Sequence, residues 1–273
     1  MKRSGDITGL IDKAYDEEIV KPYHSKGSIG ASAVGNTCDA LLAFSLRGFP
    51  DGKNAPKMKR IFRDGHRLED VVLKDMTKAG IHVMATNPGT NKQWEWRKYG
   101  ELAVFKADGV IENVGVPLLL EIKSMNSDLH DKFKRVGVRV SHPYYYDQVQ
   151  MGMGLSGIHR CVLVGYNKDN SNYWDEIIEF DPIRFGVLMW RIEQTFKGPA
   201  VKIGREETDW RCRRCFKAGV CWKPEAIDVA KTFRTCGNSI AGVDGRFVCA
   251  IGYSLCDATT CKDYVRWKPE ERK

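Results

Sequence analysis

The stretch that decides the fold is residues 107–123, ADGVIENVGVPLLLEIK. Two β-strands are predicted around it, over residues 102–111 and 116–124, with a hairpin connection at residues 112–115. The apolar run that opens the second strand is typical of a strand buried on both faces. We therefore expect the second strand to lie inside a sheet that has other layers packed against it.

Charged side chains stand where these strands end. Asp108 and Glu121 are thirteen positions apart, which is enough for a strand end, a turn and a return strand. Glu121 and Lys123 are two positions apart, and because side chains alternate along a strand they share one face. A charged pair at the end of a buried strand is costly unless something compensates it. The alternative is a surface hairpin whose charges are solvated.

A divalent metal ion would compensate these charges. Two carboxylates suit Mg²⁺ or Mn²⁺, which prefer oxygen ligands. Such an ion can lower the pKa of a bound water and neutralise charge that develops on a scissile phosphate. Lys123 could orient the attacking water or balance the charge of the phosphate. Asp108, Glu121 and Lys123 are therefore candidate catalytic residues for phosphodiester hydrolysis.

Predicted helices on either side of the hairpin carry two further motifs. His66 and Glu69 are three positions apart and share a helix face; the alternative is an ordinary solvent-facing pair. Gln148, in the helix after the lysine strand, could hydrogen-bond a phosphate or a metal-bound water. The tyrosines that precede it, Tyr144–Tyr146, could stack on bases. The alternative is aromatic packing where that helix begins.

The rest of the pattern predicts helices and strands up to about residue 200. The helices are predicted over residues 6–20, 37–47, 56–79, 144–156 and 182–196, with the Thr37 hydroxyl capping the second and Gly80 ending the third. Further strands are predicted over residues 81–85, 93–96, 160–166 and 173–180, and a Gly/Ser-rich turn over residues 27–37. Residues 127–142 are polar and basic, and no element is predicted there.

These motifs together resemble the PD-(D/E)XK nuclease superfamily in its RecB-like branch. The resemblance covers about residues 30–200 and rests on Gly65-x-x-x-Glu69, Asp108-Gly109, Glu121-Ile122-Lys123 and Tyr145-x-x-Gln148. It implies an α/β, restriction-endonuclease-like core, in which a central mixed β-sheet is flanked by helices. Met151 stands where members of the superfamily often have a tyrosine, so the last motif departs from the usual pattern.

The same resemblance implies roles for individual residues. Asp108 and Glu121 would be metal ligands, and Lys123 would be the catalytic lysine. His66 would be a further metal ligand, and Glu69 and Gln148 would be supporting residues of the site.

Cysteine is concentrated at one end of the chain. Seven of the nine cysteines fall within residues 212–273, and without a recognisable signal peptide such clustering favours metal ligation over disulfides. Cys212, Cys215 and Cys221 form a C-x2-C-x5-C triplet, in which the first two sulfurs can face one ion. Three thiolates need a fourth ligand, and the cysteine upstream of the nuclease-like motifs is Cys38.

This arrangement resembles the iron–sulfur RecB-like exonucleases, which include CRISPR-associated exonucleases and the nuclease domains of AddB-type helicase–nucleases. The resemblance implies that Cys38, Cys212, Cys215 and Cys221 hold a [4Fe–4S] cluster that staples the two ends of the domain. Zinc is the alternative occupant, and unligated structural cysteines are a second alternative. Cys38 could also be a buried residue of its helix.

Four more cysteines lie in the tail, at positions Cys236, Cys249, Cys256 and Cys261. This segment has few core-forming residues and could fold around a second, structural Zn²⁺; the alternative is an unligated tail. It resembles the cysteine-rich tails that follow some phage RecB-like nuclease domains. We therefore predict a nuclease core over residues 1–200, a closing cysteine triplet over 201–225 and a cysteine-rich, metal-binding appendage over 226–273.

Composition limits the partners. The net charge is +8, and basic runs flank the candidate site in sequence, so DNA with a salt-sensitive affinity is the predicted partner. These runs are Lys53, Lys57, Lys59, Arg60, Arg63 and Arg67, then Lys132, Lys134, Arg135 and Arg139, and finally Arg211, Arg213 and Arg214. The chain lacks a P-loop, so we expect no ATP-driven motor in it. It also lacks an apolar run long enough for a membrane span or a signal peptide.

From these observations we predict a Mg²⁺- or Mn²⁺-dependent deoxyribonuclease. We expect an exonuclease on single-stranded DNA ends in recombination, replication or phage DNA processing, in the cytoplasm of a bacterium or a phage-infected host. A helicase or recombination protein would be a partner, because unwinding must come from elsewhere. The alternatives are a structure-specific or restriction-like endonuclease and a non-catalytic DNA-binding or assembly factor on a nuclease scaffold. Intact Asp108, Glu121 and Lys123 argue against the last.

Overall fold

The computed structural model describes residues 7–17, 27–112, 115–213, 215–252 and 257–272. The helices are α1 (Ile7–Glu17), α2 (Ala31–Val34), α3 (Asp39–Leu46), α4 (Pro56–Lys78), α5 (Ser127–Ser141), α6 (Pro143–Ser156), α7 (Pro182–Lys197) and α8 (Ala218–Trp222), with a 3₁₀ turn at Pro224–Ala226. The strands are β1 (Ile29–Gly30), β2 (Val83–Met84), β3 (Thr86–Asn87), β4 (Lys92–Gln93), β5 (Glu95–Lys98), β6 (Ala103–Lys106), β7 (Gly109–Ile111), β8 (Leu118–Met125), β9 (Arg160–Asn167), β10 (Tyr173–Glu179), β11 (Ser239–Ala241) and β12 (Phe247–Cys249).

A mixed sheet of five strands, in the order β10-β9-β8-β7-β2, lies at the centre of the fold. Strand β8 pairs in parallel with β9 and antiparallel with β7, and the outer pairings are antiparallel. The register places Gly109 opposite Leu120 and Glu121 opposite Leu163. The predicted central mixed sheet flanked by helices is therefore confirmed.

Strand β8 is buried on both faces, as its apolar run predicts. Leu120 and Ile122 pack in a cluster with Val72 of α4 on one face of the sheet. Leu119 belongs to the larger core cluster on the other face, together with Phe133 of α5. Because side chains alternate, Glu121 and Lys123 lie on the same face as Leu119. Most of the apolar surface that stabilises β8 therefore surrounds two charged groups.

The prediction of a single strand over residues 102–111 is wrong, because the structure divides this segment between two sheets. Strand β6 belongs to a three-stranded sheet of order β1-β6-β5, and β7 belongs to the central sheet. The backbone N–H of Ala107 donates to the Trp94 carbonyl at 3.1 Å, whereas that of Asp108 donates to the Leu120 carbonyl at 3.2 Å. The chain thus changes sheets at Asp108, which places that residue at the crossover.

Residues 127–142, for which no element was predicted, form helix α5. The Asn126 side chain caps this helix by accepting a hydrogen bond from the backbone N–H of Leu129 at 3.1 Å. Gly137 interrupts the helical backbone with φ of +70°, a conformation that glycine adopts without steric cost. The apolar residues of α5 nevertheless follow the helical period, with Phe133 and Val138 buried, so the spacing in the sequence would have predicted this helix.

The N-terminal region differs from its prediction in two details. Residues 27–37, expected as a turn, contain the short elements β1 and α2. Thr37 does not cap α3, because Cys38 occupies the cap position. The Asn36 side chain instead accepts a hydrogen bond from the Cys38 backbone N–H at 2.9 Å. Gly80 ends α4 as predicted, with φ of +77°.

The C-terminal residues fold back onto helix α3. Phe44 and Phe49 of the α3 region meet Trp267 in edge-to-face and tilted ring contacts, with centroids 5.1 Å and 6.1 Å away. Arg47, which is buried, donates to the carbonyls of Cys236 and Ser239. These contacts tie residues before the central sheet to residues far beyond it. None of the helices in the described residues combines the length and apolar character that a membrane span needs.

Two helical glycines distinguish packing from backbone effects. A methyl group on Gly152 of α6 would lie 2.4 Å from Phe105, whereas one on Gly186 of α7 would meet no atom within 4 Å. We expect Gly152→Ala to lower the free energy of unfolding by about 1–3 kcal/mol through overpacking. Gly186→Ala should leave it unchanged or raise it by up to about 1 kcal/mol. Urea denaturation measures both, and equal effects of the two substitutions would contradict the packing of α6 on β6.

Candidate active site

The predicted catalytic residues meet at the crossover between β6 and β8. The Oδ2 atom of Asp108 accepts a hydrogen bond from the Ile122 backbone N–H at 2.7 Å. Glu121 is 2% exposed. Its Oε1 atom accepts a hydrogen bond from Gln148 Nε2 at 2.6 Å and lies 2.5 Å from Lys123 Nζ. The structure therefore brings Asp108, Glu121, Lys123 and Gln148 together, as their spacing along the chain suggested.

The two carboxylates are not neutralised by their neighbours. The second oxygen of Glu121, Oε2, is buried and has no hydrogen-bond partner among the described residues. Burial and repulsion from Glu121 raise the pKa of Asp108 to about 8, against the smaller opposing effects of the Ile122 N–H and of Lys123. An unpaired, buried carboxylate oxygen is costly. The site thus contains two carboxyl groups that cannot both be ionised without repulsion, and one acceptor without a donor among the described residues.

Lys123 is held by two different contacts. Burial alone would lower the pKa of its ammonium, but the attraction and hydrogen bond of Glu121 outweigh burial and raise it. The Nζ atom also lies 5.0 Å from the centroid of the Tyr145 ring, within the range of a cation–π contact. Lys123 is therefore a charged donor on the protein side of the site.

Helix α4 carries Glu69 and His66 to the edge of the site. The Glu69 carboxylate lies near enough to add to the repulsion that raises the pKa of Asp108. His66 Nδ1 lies 3.4 Å from Glu69 Oε2, and 81% of the His66 side chain is exposed. Glu69 thus lies within electrostatic range of Asp108, and the contact of His66 is with Glu69. The role of His66 as a metal ligand stays a prediction.

The carboxylates fit a divalent cation, although the described residues contain no group of three or more His, Cys, Asp or Glu side chains arranged to hold a metal ion. Mg²⁺ commonly uses only one or two protein carboxylates and takes its other ligands from water and substrate phosphates. The unpartnered Oε2 of Glu121 and the repulsion between Glu121 and Asp108 are what such a cation would relieve. The donor chemistry is that of a hard, oxygen-binding ion.

The four cysteines predicted to bind a cluster line one cavity. Cys38, Cys212, Cys215 and Cys221 all border a cavity of about 710 Å³. Burial raises the pKa of the Cys212, Cys215 and Cys221 thiols, the last to about 12, and negative charge on Cys38 raises each further. The thiols are thus close enough to repel one another as thiolates. Within the described part of the chain, however, no three of these thiols are arranged to hold a metal ion, so the cluster stays a prediction.

The tail cysteines are described in part. Cys236, Cys249 and Cys261 border one small cavity, which Tyr264 also lines. Cys256, the fourth predicted ligand, lies outside the described residues. The second Zn²⁺ therefore stays a prediction. Cys161 is buried in β9 within the main core, as expected of a structural cysteine.

The basic runs differ in how freely they could contact a phosphate backbone. The basic side chains of α5 are exposed, namely Lys132, Lys134, Arg135 and Arg139. On α4, by contrast, helix α1 engages the basic residues: Arg60 pairs with Asp12 at 2.7 Å, and Arg63 donates to the Tyr15 hydroxyl at 2.8 Å. The α5 face is thus the more open of these two surfaces.

The third basic run lies beside the cysteine cavity. Arg211 forms a salt bridge with Asp209 at 2.6 Å, and Arg213 donates to the Thr208 carbonyl at 3.3 Å. Arg214 lies outside the described residues. In this third run, Arg211 is therefore already paired with an acidic residue of the same loop.

Two features of the site were missed by the sequence reasoning. The first is the Ile122 N–H that orients Asp108, which no side-chain motif reveals. The second is the segment 141–145, where His142 stacks on Tyr145, the tyrosine that contacts Lys123. The aromatic run HPYYY marks this segment in the sequence, where base stacking and aromatic packing were the two interpretations, but its contact with Lys123 is not predicted by either.

Comparison with protein-family models and with curated proteins gives no match. Among solved structures, the chain is similar to the alkaline exonuclease LHK-Exo from Laribacter hongkongensis, at 21% identity and a TM-score of 0.46 over 62% of this chain and 86% of that one. It is also similar to LHK-Exo in complex with dAMP, at 20% identity and a TM-score of 0.47 over 63% of this chain and 87% of that one. A third similar structure is a phage-related exonuclease from Haemophilus somnus 129PT, at 15% identity and a TM-score of 0.42 over 60% of this chain and 78% of that one.

The raised pKa of Asp108 predicts a pH-dependent stability of the metal-free protein. The folded chain keeps a proton on Asp108 up to about pH 8, whereas the unfolded chain releases it near the ordinary value of about 3.9. The Asp108 contribution to the free energy of unfolding therefore decreases as pH rises from about 4 to about 8. We expect Asp108→Asn, measured by urea denaturation in a chelator, to be more stable than wild type at pH 9 and to exceed it by a much smaller margin at pH 5. A wild-type protein more stable than Asp108→Asn at pH 9 would contradict this account of the site.

Proposed function

We propose that the protein is a metal-dependent deoxyribonuclease that acts as an exonuclease on single-stranded DNA ends. The observation that carries the proposal is the proximity of Asp108, Glu121 and Lys123 at a site where the buried Oε2 atom of Glu121 has no hydrogen-bond partner among the described residues. A DNA-binding module has no need to bury two repelling carboxylates beside an ammonium group, because that arrangement costs stability. A hydrolytic site that holds a divalent cation does need it.

Asp108 and Glu121 would hold a Mg²⁺ or Mn²⁺ ion, which when bound supplies an activated water and neutralises charge on the phosphate. The chain's own residues position the reaction. The Ile122 N–H keeps Asp108 turned toward the site, and Gln148 occupies Oε1 of Glu121 so that Oε2 stays available. Lys123 would donate a charged hydrogen bond to the attacking water or to the scissile phosphate.

Glu69 and His66 support this arrangement from α4. Glu69 contributes negative charge beside Asp108 and accepts from or pairs with His66. We propose His66 as a further ligand and Glu69 as a supporting residue. The exposed basic face of α5 would follow the phosphate backbone of DNA, so that the affinity falls as salt rises.

We further propose that the cysteine cavity holds a [4Fe–4S] cluster, with Zn²⁺ as the alternative occupant. Support comes from the four cysteines that border it and from the repulsion between their thiolates. A centre bound by Cys38 and by the triplet would join α3 to residues 212–221 and close a very long loop. Its role is structural. Recombination or phage DNA processing, with unwinding supplied by a separate helicase, is the proposed setting.

The direct test is cleavage of end-labelled linear and of circular single-stranded DNA in Mn²⁺ or Mg²⁺. We expect wild type to degrade linear DNA, and Lys123→Ala to be slower by about 100-fold or more, because it loses a charged donor to the reacting phosphate. Lys168→Ala, which removes an exposed lysine in the turn after β9, is the matched control and should cleave at the wild-type rate.

Three outcomes decide between the candidate functions. Cutting of circles would replace the exonuclease with an endonuclease. Equal rates for wild type and Lys123→Ala would show that the site is misassigned. A wild-type protein that binds DNA without cleaving it in any divalent metal would favour the binding factor.

The cysteine cavity predicts a coloured protein. We expect protein purified without air to contain iron and to absorb broadly in the visible range, as iron–sulfur clusters do. Cys215→Ala should lose both properties, whereas Cys161→Ala, which removes a thiol from β9 outside the cavity, should keep them. A colourless protein with one equivalent of zinc that Cys215→Ala loses would make the centre a zinc site, and a wild type without either metal would contradict the proposal.

A further inference from the structure

The position of the Lys123 ammonium depends on two contacts of different kinds. One is the ion pair with Glu121 Oε1 at 2.5 Å, and the other is the Tyr145 ring, whose centroid is 5.0 Å from Nζ. Gln148 shares the same Oε1 atom, with its Nε2 at 2.6 Å. The carboxylate oxygen that holds Lys123 thus has a second donor. The lysine side chain is a flexible stem of four carbons, so this one ion pair does not fix the direction from which the ammonium group approaches the site.

The Tyr145 ring is itself held in place by His142. The two rings are stacked, with centroids 5.2 Å apart and planes 11° apart. His142 Nδ1 lies 2.9 Å from the Ser141 hydroxyl. The edge of the fully buried Phe133 meets the same imidazole, with centroids 6.4 Å apart and planes at 83°. Lys123 therefore lies at the end of a column of rings that begins in the core.

The place of this column in the fold explains how it is built. His142 is the residue between α5 and α6, with φ of −138° and ψ of 68°, and Pro143 opens α6. The proline restricts the residue before it to a non-helical backbone, which ends α5 and turns the imidazole toward Tyr145. Gln148 lies on the same helix as Tyr145. Helix α6 thus presents both groups that accompany the β8 residues Glu121 and Lys123.

We infer that Tyr145, backed by His142, is a positioning residue for Lys123, and that its ring sets the direction from which the lysine approaches the scissile phosphate. This inference rests on the proposed nuclease function. It assigns Tyr145 a role different from base stacking, because His142 and the Lys123 ammonium already contact the ring. Tyr144, which is 48% exposed, remains available to a base.

The inference predicts that the ring matters and the hydroxyl does not. A catalytic group displaced by about 1 Å can lose about 100-fold in rate. We expect Tyr145→Leu to lower kcat by about 10-fold or more with KM changed by less than about 2-fold, because Lys123 is misplaced while DNA still binds. Tyr145→Phe should retain kcat within about 2-fold, since it keeps the ring. Tyr173→Leu, which removes a tyrosine from the edge strand β10, should cleave as wild type does.

A second measurement needs neither metal nor DNA. The Lys123 Nζ atom lies 5.0 Å from the centroid of the Tyr145 ring, so we expect the NMR signal of the adjacent ε-methylene protons to be shifted upfield in wild type and in Tyr145→Phe. The shift should be lost in Tyr145→Leu and reduced in His142→Ala, which removes the backing ring. Comparison with Lys123→Arg assigns the signal. Thermal unfolding of each variant shows whether it is folded at the assay temperature.

The two measurements separate failure of this inference from failure of the proposed function. If wild type cleaves DNA, Lys123→Ala does not, and a folded Tyr145→Leu cleaves at the wild-type rate, the positioning role is overturned and the nuclease assignment stands. A Tyr145→Phe variant as slow as Tyr145→Leu also overturns it, because the hydroxyl would then be the active part. If wild type cleaves no DNA, the proposed function fails, and an unshifted Lys123 signal overturns the positioning role as well.

Discussion

The rest of the site depends on one unfavourable arrangement, the Glu121 carboxylate buried on strand β8 next to Asp108. Apolar side chains pack around the strand on both faces of the sheet, and they hold the two acids where water cannot fully solvate them. Gln148 and Lys123 satisfy Oε1 of Glu121, and Oε2 is left without a partner in the described residues. A fold that keeps this strain gains nothing in stability from it. The strain has a physical reason if the site receives a cation, which is why the functional proposal begins there.

The sequence predicted the parts of this arrangement that follow from local periodicity. The apolar run before Glu121 predicted a strand buried on both faces, and the two-residue repeat placed Glu121 and Lys123 on one side of it. Gln148 could be named from the predicted helix over residues 144–156, although the structure places helix α5 between β8 and that helix. The predicted mixed sheet with flanking helices is confirmed, since strand alternation and the helices between β8 and β9 leave few other topologies.

The features that the sequence did not predict are set by partners that are distant along the chain. The break at Asp108 arises because Ala107 bonds to Trp94 while Asp108 bonds to Leu120, and no local pattern records that switch. Helix α5 could have been predicted, because its apolar residues follow the helical period although most of its side chains are polar or basic. The contact between Tyr145 and Lys123 requires α6 to pack beside β8, so it emerges only from tertiary structure. The four cysteines around one cavity were suggested by a family resemblance rather than by spacing, because Cys38 is far from the other three in sequence.

The most direct measurement of the central claim is a titration of the DNA-free protein with Mn²⁺. Binding is detected as the loss of the free-ion signal in electron paramagnetic resonance. The account predicts that wild type binds Mn²⁺ and that Glu121→Gln binds it at least about 10-fold more weakly, because a neutral amide replaces the buried carboxylate. Glu179→Gln, which alters a surface acid paired with Arg160, should bind as wild type does. Equal binding by wild type and Glu121→Gln, or no binding by wild type, would contradict the account.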